Sequence, residues 1–257
     1  MIEANNAYIG YKNVEVLRNI NIKIDESSVL VGPNGSGKTT FLNSILGFSK
    51  VIRGKLSVFG KDVSKLRNFI GISTNLVEVY KILSVNIRDL IKIYAELYGG
   101  EASDALNLLN MFNFNSFDKK IYEISLGQQK ILANVLALAF NPKLALLDEP
   151  FENLDQSRRL KMIKLLKEMR NCKVVLTTHE INLVKKLKEW KLYLVFNGSI
   201  YGPFSTTDEL YVSRGKISDA LVLIQTNNGY LSVTRDNGEL PLSSIGDIEN
   251  LEAMLND

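Results

Sequence analysis

A chain of 257 residues with 46% apolar side chains can bury a large core, which excludes a disordered or fibrous protein. Its formal net charge is +3 and no block of like charge dominates, which argues against nucleic acid as the main partner. One cysteine, Cys172, allows no internal disulfide, and no run reaches the ~18 apolar residues of a membrane span. The single cysteine makes a reducing compartment the expectation, and the start, MIEANNAYIGYKN, lacks the basic-then-apolar order of a secretory leader.

In chain order, the first part reads as strands. Ile20, Ile22 and Ile24 alternate with polar residues, and Val29-Leu30-Val31 is a short apolar strand running into a glycine-rich loop. Lys38 to Leu46 reads as a helix closed by Gly47. Leu56 and Val58 mark another strand, followed by one at Phe69 to Ile72. The middle is helical: Ser84 to Tyr98 and Ala102 to Phe112 are separated by Gly99-Gly100, and Gly127 to Phe140 follows. Its apolar run Ile131 to Phe140 contains Asn134 and is too short to cross a membrane, so it reads as a buried helix.

Strand and helix then alternate: Leu144 to Leu147, Gln156 to Arg170, Val174 to Thr177, Glu180 to Glu189, Leu192 to Phe196. That alternation predicts an α/β fold with a parallel core sheet covered on both faces. A helical subdomain is expected at about residues 76–142, inside a main domain of residues 1–204. Residues 205–257 read as a small appendage. Leu221 to Ile224 is strand-like, Asn227-Asn228-Gly229 and Asp236-Asn237-Gly238 are turn signals, and Asp247 to Leu255 is helical in pattern. The lysines 185, 186, 188 and 191 read as a solvated face.

Three stretches carry chemistry. Gly32-Pro33-Asn34-Gly35-Ser36-Gly37-Lys38-Thr39 fits G-x-x-x-x-G-K-[ST] between an apolar strand and a helix. Its glycines let successive backbone N–H groups curl around phosphate, and the helix adds the positive end of its dipole. Lys38 is expected to reach the β- and γ-phosphates of ATP and Thr39 to ligate Mg²⁺, with Thr40 following in the binding set. Leu144 to Leu147 is an apolar strand ending in Asp148-Glu149-Pro150. A parallel strand's C-terminal end is where open α/β sheets bind ligands, so Asp148 is expected to hold the magnesium water shell and Glu149 to act as general base. His179, the chain's one histidine, follows the next strand and is placed to orient the attacking water. Ile124-Ser125-Leu126-Gly127-Gln128 opens a helix, where Ser125 reads first as a cap and second as a phosphate contact.

In this order and spacing the motifs over residues 2–204 resemble the nucleotide-binding subunit of ABC transporters. The resemblance implies that Ser125, Gly127 and Gln128 form a signature motif, Asn153-Leu154-Asp155 a D-loop, and Tyr11 an adenine-stacking aromatic. It implies an ATPase that works as a head-to-tail dimer, with a second copy or a related subunit, bound to transmembrane permease subunits. It places the chain in the cytoplasm at the inner face of the membrane. The signature of one copy would close on the ATP held by the other. Leu126 stands where the family has glycine. Asn75 stands where the family has a metal-contacting glutamine and is one methylene shorter; contact through a bridging water is the expectation. The alternative is a non-transport ATPase of this type, acting in assembly or on nucleic acid, although no coiled coil or basic arm supports it.

Overall fold

The computed structural model describes residues 1–66, 69–226, 229–235 and 237–251. In chain order its regular elements begin with β1 (Ile2–Tyr11), β2 (Val14–Ile24), β3 (Ser28–Val31), α1 (Lys38–Leu46), β4 (Lys50–Val58) and β5 (Lys61–Asp62). Then come β6 (Ile72–Thr74), α2 (Val77–Lys81), α3 (Ile87–Tyr98), α4 (Ala102–Met111), α5 (Leu126–Leu138), β7 (Leu144–Leu147), α6 (Gln156–Glu168) and β8 (Lys173–Thr178). The last are α7 (Ile181–Val184), β9 (Lys191–Phe196), β10 (Ser199–Ser205), β11 (Leu210–Arg214), β12 (Val222–Thr226), β13 (Gly229–Arg235) and β14 (Leu240–Pro241). Two compact units contain them: residues 1–66 with 177–257, and residues 67–176.

The first unit holds an antiparallel sheet in the order β2-β1-β4-β5. Ile2, Ala4, Ala7 and Ile9 of β1 are buried beside Leu17, Ile20, Ile22 and Ile24 of β2. The alternation read from the three isoleucines is therefore the inner face of that sheet. β1 slips register between Ala4 and Ala7, where Asn6 takes a left-handed φ of 44° and donates its N–H to Asn21 Oδ1 at 2.9 Å. Asparagine tolerates that conformation better than most residues, so the bulge has a suitable occupant. Beside this sheet in the same unit, β3 pairs in parallel with β9, and β9 pairs antiparallel with β10. All four residues of β3 are buried; burial stabilises each of its valines and its leucine by roughly 1.5–3 kcal/mol.

The C-terminal segment of this unit is an antiparallel sheet in the order β12-β13-β11-β14, with Val212, Val222, Ile224, Leu231 and Val233 on its buried face. Two of its strands, β11 and β14, were not among the expected elements. Thr226 pairs with Gly229 across the first expected turn; Asn227, Asn228 and Asp236 lie outside the described residues. The helix expected at Asp247 to Leu255 is, in its described part, one 3₁₀ turn at Ile248–Leu251, and residues 252–255 lie outside.

The second unit packs α2 to α5 with the parallel strands β6, β7 and β8. Asn86 caps α3 by accepting from the Asp89 N–H at 2.9 Å, so that helix begins after Ser84, and left-handed Gly99 ends it. β6 starts at Ile72, the last residue of the expected Phe69 to Ile72 strand, and ends at Thr74. Its buried residues are Ser73 and Thr74 while Ile70 is exposed, so apolar pattern misplaced it. Ser73 satisfies its buried hydroxyl on the Ala137 carbonyl. In the first unit, the helix expected at Glu180 to Glu189 stops at Val184. Residues 186, 187 and 190 then donate to carbonyls three positions back, which buries Leu187 and Trp190 in successive turns. Cys172 is buried in the second unit, and burial pushes its thiol up to about 12.

Candidate functional site

In the first unit, β3 delivers the chain to Gly32, whose N–H donates to the Thr178 carbonyl at 3.3 Å. The loop then turns through left-handed Gly35 (φ 76°) and Gly37 (φ 110°) into α1. A Cβ on Gly37 would stand 2.5 Å from Leu17 Cδ2, a side-chain tip that can shift, so it is the left-handed dihedral that requires glycine there. Gly37, as N-cap, offers no side-chain acceptor to the start of α1. Ser36 Oγ is buried with no hydrogen-bond partner, a state that costs about 1–3 kcal/mol. Lys38 is only 5% exposed, and its Nζ donates to the Gly32 carbonyl at 2.7 Å and the Pro33 carbonyl at 3.1 Å. An orphaned hydroxyl, a helix start without a side-chain cap and a buried ammonium turned toward one loop fit a phosphate group.

Thr39 is exposed, as a metal-ligating hydroxyl must be. Thr40, expected in the binding set, is buried, and its carbonyl accepts from Ser49 Oγ at 2.9 Å. Tyr11 ends β1 with its ring 40% exposed and its hydroxyl accepting from Asn43 Nδ2 of α1 at 2.8 Å. That bond holds the ring beside the helix that follows the loop.

His179 follows β8 and is half-buried. Its carbonyl accepts from the Ile248 N–H at 3.0 Å, Glu180 bridges to Asp247, and its Nε2 lies 4.0 Å from Asp247 Oδ2. The C-terminal segment therefore docks on the residue expected to orient water. Phosphate-loop residues Pro33 to Ser36 also line a cavity of about 360 Å³ shared with Phe196, Asn197, Ile224, Leu231, Ile248 and Leu251. Asp247 escaped the sequence reading because it lies in a segment without a motif.

In the second unit, β7 leads into Asp148 and Glu149, both half-buried. Glu149 has a left-handed φ of 43°, uncommon for a residue with a long side chain. Asn75, expected at a metal, has protein partners in this unit. It is 1% exposed and its amide is engaged at both ends: Nδ2 donates to Asn134 Oδ1 at 2.7 Å and to the Asp148 carbonyl at 3.0 Å, and Oδ1 accepts from the Asp148 N–H at 2.7 Å. The side chain reaches the backbone just past the end of β7. Asn134 donates in turn to the Pro150 carbonyl at 2.8 Å. The signal that would have found Asn134 was its place in an apolar helix, since a buried amide must find partners.

Ser125 caps α5 in a reciprocal box with Gln128: Gln128 N–H donates to Ser125 Oγ at 3.3 Å and Ser125 N–H to Gln128 Oε1 at 3.2 Å. Gln128 Nε2 also donates to Ser116 Oγ. The Leu126 side chain is 64% exposed, on the surface of this turn. Gly127 approaches the Asn153 carbonyl so closely that an added Cβ would sit 2.6 Å from it. Gly127→Ala should therefore shift the start of α5 against the Asn153 turn and lower stability by about 1–3 kcal/mol. Thermal unfolding measures this; an unchanged midpoint would show that the contact relaxes freely.

The profile of the ABC transporter family matches residues 17–152. An ABC transporter ATP-binding protein of Clostridium acetobutylicum is 29% identical over 217 residues, covering 77% of this chain and 77% of that protein. A solved structure described as a cobalt transport ATP-binding protein superposes with a TM-score of 0.86 at 32% identity, covering 99% of this chain and 100% of its own. That coverage extends into residues 205–257. A dimeric bacterial ABC transporter cassette matches with a TM-score of 0.67 at 25% identity, covering 80% of this chain and 99% of its own.

Proposed function

This chain belongs to the ABC transporter family as an ATP-binding ATPase, and from that premise we propose that it is the subunit that powers a transporter. In this reading two copies, or this chain and a related one, meet head to tail and dock on transmembrane permease subunits. Residues 1–204 form the ATPase domain, with a helical subdomain at about 76–142, and residues 205–257 form an appendage. The working place is the cytoplasmic face of a membrane. Among the described residues no helix is long and apolar enough to cross one, so a separate subunit would supply the channel.

The observation that carries the reading is the phosphate loop, with left-handed Gly35 and Gly37, the orphaned Ser36 hydroxyl and buried Lys38 at the start of α1, which has no side-chain cap. Backbone N–H groups of the loop beyond Pro33, up to Thr39, hold the ATP phosphates, and Lys38 places its charge on the β- and γ-phosphates. Tyr11 stacks on adenine. Thr39 and Asp148 are the residues that hold magnesium, which when bound neutralises charge on the phosphates. Glu149 takes the proton of the attacking water, and His179 orients it. Ser125, Gly127 and Gln128 act in trans on the γ-phosphate held by the other copy. Asn75 is left out of the metal set because its amide is already engaged.

Extraction of the native protein in mild detergent tests the transport role. A multi-span membrane protein should co-purify. Recovery with soluble partners only, together with salt-sensitive stimulation of the ATPase by DNA or RNA, would move the assignment to a nucleic-acid ATPase.

The appendage should matter to catalysis through its contact with His179. Deleting residues 205–257 removes the Ile248 N–H donated to the His179 carbonyl and the Asp247 carboxylate near its ring. We expect reduced ATP turnover and a lower unfolding midpoint. Unchanged turnover, stability and dimerisation would leave the appendage without a role in this unit.

A further inference from the structure

We propose that Asn75 and Asn134 form a buried amide clamp that sets the position of the carboxylate-bearing turn Asp148–Pro150. Asn75 is then a positioning residue for hydrolysis rather than a magnesium ligand. The inference rests on the reading of Glu149 as general base.

The parallel ladder of β7 ends at Leu147. Beyond it the backbone needs other partners. The Asp148 N–H donates to Asn75 Oδ1, the Asp148 carbonyl accepts from Asn75 Nδ2, and the Pro150 carbonyl accepts from Asn134 Nδ2. The two amides are joined by the bond from Asn75 Nδ2 to Asn134 Oδ1 at 2.7 Å. Lys130 Nζ adds a further bond to the Asp148 carbonyl at 3.2 Å. These bonds bracket Glu149, the one residue of the turn with a left-handed φ. A long side chain holds that dihedral only where its surroundings over-determine it. Both asparagines are buried, at 1% and 0% exposure, so water does not substitute for them. A glutamine at position 75 would carry its amide one methylene too far for these bonds. The substitution that looks conservative against the family pattern is the one that fits this turn.

The test is steady-state hydrolysis, equilibrium ATP binding and magnesium titration on the full-length chain. Asn75→Leu should lower kcat about a hundredfold, the scale of a misplacement of about 1 Å. ATP affinity should stay within threefold. Asn75→Gln should lower kcat at least tenfold, and the double variant Asn75→Leu with Asn134→Leu should be no worse than the poorer single one, as groups acting as a unit require. A kcat for Asn75→Leu within threefold of the parent overturns the clamp. So does a raised kcat with a lowered magnesium half-saturation in Asn75→Gln, which is the signature of a metal ligand. If Asn75→Leu does not fold, the Asn75→Gln result decides alone. Glu149→Gln run in parallel separates the two readings. Loss of rate there with an unaffected Asn75→Leu rejects the clamp, whereas loss in Asn75→Leu with an unaffected Glu149→Gln rejects the base and keeps the clamp.

Discussion

Replacing Glu149 by glutamine should lower ATP hydrolysis by about a thousandfold, within the 10²–10⁴ range of a positioned general base, while ATP binding stays close to the parent value. The glutamine amide keeps the size and much of the hydrogen bonding of the carboxylate but takes no proton from water. The same change removes a negative charge from the end of β7, where the proposal puts the triphosphate, so binding has no electrostatic reason to weaken. Hydrolysis is what releases the head-to-tail dimer in this mechanism, since the γ-phosphate is the group both copies hold. The variant should therefore accumulate as an ATP-bound dimer, and sizing in the presence of ATP and magnesium reads this directly. A turnover within threefold of the parent would end the assignment of Glu149 as base. Turnover lost together with ATP binding would indicate instead that the left-handed turn had collapsed.

Much of this site was legible because its chemistry is written in contiguous residues. The phosphate loop needs glycine where φ is positive, a lysine and a hydroxyl at fixed spacing, and an apolar strand before it; each constraint is local. Lys38 to Leu46 came out with its limits intact because Gly37 and Gly47 mark both ends. The β7 strand was equally plain, four apolar residues before two acids. What escaped depended on partners far apart in sequence. Asn75 lies 73 residues from Asp148, and Asn134 lies 59 residues from Asn75. Family pattern pointed Asn75 at a metal, whereas its reach pointed it at the backbone. β6 was misplaced because its buried side chains are hydroxyls satisfied within the unit, Ser73 on the Ala137 carbonyl. The helix after His179 was overextended because periodicity does not reveal that Leu187 and Trp190 are buried by successive tight turns. Asp247 belongs to a segment where sequence gives only turn signals and a helical stripe.

Lys38→Ala should weaken ATP binding at least a hundredfold and leave hydrolysis undetectable. Truncating one partner of a buried, hydrogen-bonded charge pair costs about 2–5 kcal/mol, and about 2.7 kcal/mol already corresponds to two decades in affinity. Two effects add. The variant loses the ammonium that meets the β- and γ-phosphates, and it frees the Gly32 and Pro33 carbonyls that Lys38 Nζ now binds at 2.7 and 3.1 Å. The second effect loosens the loop before any nucleotide arrives, so part of the loss is a cost of ordering. Lys38→Arg separates them. It keeps the charge, but its planar fork fills a pocket shaped for a compact ammonium that is 5% exposed, so it too should bind poorly. Thermal unfolding with and without ATP and magnesium gives the readout: ligand binding raises the parent's midpoint by mass action, and that increment should vanish in Lys38→Ala. A variant whose midpoint still rises with ATP as the parent's does would show that the nucleotide is held elsewhere, and the Gly32 to Thr39 loop would lose its place as the phosphate site.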